Sequence, residues 1–175
     1  VLSYVAMRKD DKAGLVTFNE YFDTFVPASK QVGQMQTLLE NLYKQETTFG
    51  ETDFSALCGH LGKHVNKRSF LVLYTNFSNM TSLNRQLVYL QQLARQHRVL
   101  VVFFEDADLK EYIAGKSVTT EDYYRHVIAE KFAFEKRLIV STLKQHGIYS
   151  LLTTPDKLSI DVINKYLEMK SRQLL

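Results

Sequence analysis

The 175-residue chain has a single cysteine, Cys58, so no disulfide can form within it. That fits a reducing compartment. Proline is nearly absent (2) and glycine scarce (7), which excludes long flexible linkers. No apolar run approaches the roughly 20 residues that a membrane-crossing helix needs. No secretory signal is visible. Charge of one sign is also lacking: the formal net charge is +3, with lysines and arginines scattered among acids. A nucleic-acid binder would carry a basic stripe, so none is expected as a partner. No serine sits in a glycine-flanked elbow and no glycine-rich loop could cradle a phosphate, since Gly14, Gly33 and Gly50 stand alone.

Apolar residues, by contrast, are plentiful at 45%, with 23% charged, an ordinary globular composition for one domain spanning 1–175. Val1–Arg8 reads as the tail of a helix ended near Asp10, Asp11 and Gly14. Two short strands follow, Gly14–Phe18 and Tyr21–Val26, joined by a turn at Asn19-Glu20. Pro27 is expected to end the second, because proline cannot donate to a strand ladder. Met35, Leu38, Leu39 and Leu42 recur at helical spacing, and so do Phe54, Leu57, Cys58, Leu61 and Val65.

Ser69–Thr75 and Val99–Phe104 are continuous apolar runs. Such runs suit strands buried on both faces, as in parallel sheets covered by helices, and the second is expected to be central. Helices are predicted over Ser82–His97, Asp108–Ala114 and Thr120–His146, the last ended by Gly147. A final strand, Ile148–Leu152, and a helix capped by Ser159 complete the chain. Alternating strands and helices predict an α/β fold with a doubly wound, mainly parallel, Rossmann-like sheet and an edge hairpin.

Ligands of open α/β sheets sit at the carboxyl ends of strands. Here those ends carry Asn19, Asn76 and Glu105-Asp106, and the loop ahead of the Phe54 helix adds Thr48, Thr52 and Asp53. Asn19, Thr52, Asp53, Asn76 and Asp106 form the candidate ligand-binding rim. An oxygen-rich rim can hold a hard cation, but the default reading is that the loops are simply polar and Thr52 or Asp53 caps the helix. His60 and His64 have a spacing that can chelate a metal, but Leu61 stands where a metalloprotease needs glutamate. Core packing is the default for Cys58 and a partly exposed helix face for the histidine pair. No catalytic residue is assigned. Tyr123, Tyr124, Phe132 and Phe134 lie on more than one face of the long helix, so some are expected at the surface, where aromatics favour protein interfaces.

The order of Asp11–Phe18, Thr52–Leu57, Arg68–Asn76, His97–Asp106 and Asn164–Arg172 resembles the von Willebrand factor A-like region of bacterial domain-of-unknown-function family fifty-eight. The resemblance implies a non-enzymatic interaction domain that partners a MoxR-type AAA+ ATPase in complex assembly. Its rivals are a metal-dependent adhesion domain and an uncharacterised hydrolase on a doubly wound sheet. In that superfamily a metal-ion-dependent adhesion site uses a serine motif, a threonine and an aspartate. Thr52 matches the threonine, Asn76 stands where the aspartate would be, and the serine motif would precede Val1. The adhesion site is therefore degenerate. No metal or other cofactor is expected here, and magnesium is implied only if the serine motif is present upstream. Thr52 and Asn76 are the weak metal candidates. The resemblance also implies an N-terminally truncated piece whose missing first strand lies between Gly14–Phe18 and Ser69–Thr75. Either that strand fills the gap, or the two flanking strands pair directly. The implied location is cytoplasmic, with membrane association through segments ahead of Val1.

Overall fold

The computed structural model describes residues 1–19, 22–46, 52–77, 79–105 and 120–175. The chain divides into two compact units, Val1–Lys67 and Arg68–Leu175.

The first unit opens with α1 (Leu2–Arg8), which ends as Asp10 takes a left-handed conformation, φ 66°. An antiparallel hairpin follows, β1 (Ala13–Phe18) against β2 (Phe22–Ser29). Then come α2 (Gln34–Tyr43) and α3 (Phe54–His64). Ala13, Val26 and Leu38 form a small buried core, and Met7 and Leu15 pack on it.

Contrary to expectation, Pro27 does not end its strand; β2 runs on to Ser29. The register shows why. Ala13 faces Ser29 and Leu15 faces Val26, so the ladder is irregular at Pro27. A bulge is where a strand tolerates a residue with no N–H. Gly14 answers it across the ladder: a Cβ there would lie 2.7 Å from the Val26 carbonyl oxygen. Only a residue without a side chain lets the two backbones come that close. The Gln34 amide then ties the bulge to α2, donating to the carbonyls of Ala13 (2.8 Å) and Pro27 (3.0 Å).

The second unit holds a three-stranded parallel sheet, ordered β3 (Phe70–Tyr74), β4 (Arg98–Phe104), β5 (Tyr149–Thr153). Parallel neighbours need crossovers. Here α4 (Met80–Gln96) leads from β3 to β4 and α5 (Thr120–Gln145) precedes β5. The closing helix is α6 (Leu158–Ser171). As expected, β4 is central. Val99 through Phe103 are each no more than 2% exposed. The predicted Asp108–Ala114 helix lies outside the described residues.

Further expectations change. β3 is not an inner strand: among the described residues it pairs with β4 alone, and only Leu73 on it is buried. The hairpin is not an edge of the parallel sheet but a sheet of its own. Among the described residues β1 pairs with β2 and β3 with β4, and each keeps one edge without a described partner strand. Ser159 does not cap α6. That helix starts a residue earlier, on the turn in which Lys157 N–H reaches the Thr154 carbonyl. Gly147 does end α5, with φ 71°.

Candidate functional site

In the first unit the predicted rim residues Asn19 and Asp53 come together. The Asp53 backbone N–H donates to the Asn19 carbonyl at 2.8 Å. Asp53 then caps α3: its carboxylate accepts from Ser55 N–H at 2.7 Å and Ala56 N–H at 3.1 Å. This satisfies donors that a helix start otherwise leaves open. Phe54, fully buried, meets Phe18 edge-on with ring centroids 5.4 Å apart. The end of β1 and the start of α3 are thus fastened by one backbone bond and one aromatic contact. Thr52 is exposed beside them. The capping role expected of Asp53 accounts for both hydrogen bonds of its carboxylate.

In the second unit Asn76 follows β3 at the carboxyl end of the sheet. Three contacts hold its loop. Thr75 N–H donates to the Val102 carbonyl at 3.2 Å, extending the ladder. Phe77 is buried with its ring 5.9 Å from that of Phe103. Asn79 closes a capping box with Ser82 at the start of α4. The Asn76 side-chain oxygen accepts from the Lys136 ammonium of α5. Sequence reasoning missed Lys136. Asp106, the fifth rim residue, and Thr48 lie outside the described residues.

The profile of the family described as "Protein of unknown function DUF58" matches residues 1–120. The chain belongs to the DUF58 family. The match takes in the hairpin, α3, β3 and β4, which carry most of the resembling segments; the closing segment, Asn164–Arg172, lies beyond it. No curated protein and no solved structure matches the chain.

Elsewhere the DUF58 chain bears several groups of possible chemical interest. Among its described residues no three or more histidines, cysteines or acids gather as a metal site. His60 and His64 stack face to face, centroids 4.2 Å apart and planes 27° from parallel, with Phe25 against both. Chelation asks two rings to aim in-plane lone pairs at one point, which a face-to-face stack does not do. Burial lowers the proton affinity of His60, and the charges of His64 and Lys63 lower it further. Burial, with the Asp53 carboxylate adding to it, pushes the Cys58 thiol up to about 11. A reactive cysteine needs the opposite shift.

Among the described residues, α5 carries a series of exposed apolar side chains. Ala129, Ile139 and Leu143 mark its buried face. Tyr124, Val127, Phe134 and Leu138 lie on the other, between 40% and 68% exposed. Tyr123 is exposed on the same side, while Ile128 and Phe132, also exposed, stand at the spacing of Ile139 on the buried-face side. Among the described residues no helix is long and apolar enough to cross a membrane.

Proposed function

We propose that this chain is a protein-interaction domain without catalytic chemistry of its own, and that its partner is a MoxR-type AAA+ ATPase in complex assembly. The outer stripe of α5 carries the reading. Tyr124, Val127, Lys131, Phe134 and Leu138 follow the three-and-four spacing of a coiled-coil seam, with one lysine among four apolar residues. A helix with one face already buried gains nothing within its own fold from a second apolar face. Water contact at such a face costs free energy that a partner would recover. Tyrosine and phenylalanine are also residues that interfaces favour over the rest of a surface.

The ATPase and the von Willebrand factor A-like character of the domain come from the segment order from Asp11 to Arg172. Membership of DUF58 and the parallel β3-β4-β5 sheet support that reading. The test is capture from the native host with the intact protein, wild type beside Phe134→Glu/Leu138→Glu, with bound proteins identified by mass spectrometry. An AAA+ ATPase should return with the wild type and be lost with the double variant. Repeated captures without any ATPase would remove the partner assignment. Equal recovery by the variant would remove the stripe as its site.

A further inference from the structure

Lys136 is out of place by pattern. It stands seven residues after buried Ala129, three before Ile139 and seven before Leu143, so helical spacing puts it on the buried face of α5. A half-buried lysine calls for a carboxylate. Among the described residues none pairs with it, and its hydrogen-bond partner is the neutral oxygen of Asn76. Burial weakens the ammonium's hold on its proton, with no acid to offset the effect.

Counting donors defines what is missing. An ammonium carries three donors and no acceptor. Asn76 must therefore turn its oxygen to Lys136, which directs its own NH2 group, with two more donors, away. One of the three ammonium donors meets the Asn76 oxygen. The pair so presents a set of N–H donors without described acceptors. Asn76 is exposed, so the set can be reached from solvent. Its place, the carboxyl end of a parallel sheet, is where α/β folds bind ligands.

We propose that Lys136 and Asn76 form a receptor for a carboxylate. One carboxylate oxygen takes an N–H of the ammonium and the other an N–H of the Asn76 amide. A carboxylate fits because its two acceptor oxygens share one carbon and its charge compensates the lysine. The site is independent of the α5 stripe. Lys136 is two residues from both Phe134 and Leu138, hence on nearly the opposite side of the helix.

The test is a titration of the intact, isotope-labelled chain, followed through the Asn76 side-chain NH2 signals in NMR spectra. Acetate, a glutamate-rich peptide and inorganic phosphate serve as probes. Saturation by acetate and by the peptide supports the site for any carboxylate; saturation by the peptide alone supports it for a protein-borne one. Response to phosphate alone, or to none of the three, overturns the proposal. Lys136→Met should weaken carboxylate binding at least tenfold and Lys136→Arg should keep it, both followed by the melting temperature of the chain with and without peptide. Asn76→Asp is the sharpest variant. Its own carboxylate would satisfy Lys136, so the melting temperature of the free chain should rise while peptide binding is lost. Undiminished binding by Asn76→Asp or by Lys136→Met would refute the assignment.

Discussion

In the unit Arg68–Leu175, five consecutive residues of β4, from Val99 to Phe103, are shut off from water; in the unit Val1–Lys67, β1 buries Ala13 alone and leaves its remaining residues partly open. Both stretches are strands rich in apolar residues. They differ in their neighbours. β4 has a strand on each edge, and α4 packs against it, so its five central positions, Val99 to Phe103, must be apolar. β1 has one described partner strand and a core of three buried residues, so half-solvated positions such as Thr17 are tolerated. The stability of the second unit therefore rests on side-chain packing along one strand. That of the hairpin rests more on backbone geometry at its bulge.

This contrast can be broken at several points. Phe103→Ala should cost most, about 3–5 kcal/mol, because it opens a cavity in the densest core and removes the ring on which Phe77 packs. Urea unfolding followed by circular dichroism measures it. Leu15→Ala in the hairpin should cost less than half as much, since Leu15 is only partly buried; equal losses would erase the distinction. Gly14→Val should cost about 1–3 kcal/mol through backbone displacement, its Cβ lying 2.7 Å from the Val26 carbonyl and 2.9 Å from the Ala28 nitrogen. Asp53→Ala should cost about 0.5–2 kcal/mol by stripping the cap from α3, whereas exposed Thr52→Ala should leave the melting temperature unchanged.

The smallest effect is that of pH. His97 is buried, and its Nδ1 accepts the Ser69 N–H at 3.3 Å. Burial lowers its proton affinity, as it does that of His60. An unfolded histidine takes a proton near pH 6.5. Below that value the unfolded chain binds protons that the folded chain resists, so stability falls as pH drops below about 6.5. His97→Gln should flatten the fall in melting temperature over that range; an unchanged slope would clear His97 of responsibility.

Much of this architecture was legible because period and composition report burial directly. The run Val99–Phe104 announced a central strand, and the four-residue rhythm of Phe54, Leu57, Cys58 and Leu61 announced α3. Which strands pair is not written in either signal. β3 read as a buried inner strand, yet it has only one described neighbour, because pairing depends on long-range partners. Pro27 misled for a related reason: the rule against proline in a ladder lapses at a bulge, and the bulge shows only in the register with Gly14. At the candidate site, Asp53 two residues ahead of Ser55 could be read as a cap. The Asn19 contact runs through its backbone carbonyl, which no side-chain argument detects. Lys136 did leave a trace, a charged residue at the spacing of Ala129, Ile139 and Leu143, and that break in an apolar stripe is the signal that would have found it.

Hydrogen exchange of the intact chain, alone and bound to the ATPase recovered by capture, tests the central claim most directly. Docking on the outer stripe of α5 requires added protection across Tyr123–Leu138 in the complex. A stable complex in which those amides exchange as fast as in the free chain would contradict it.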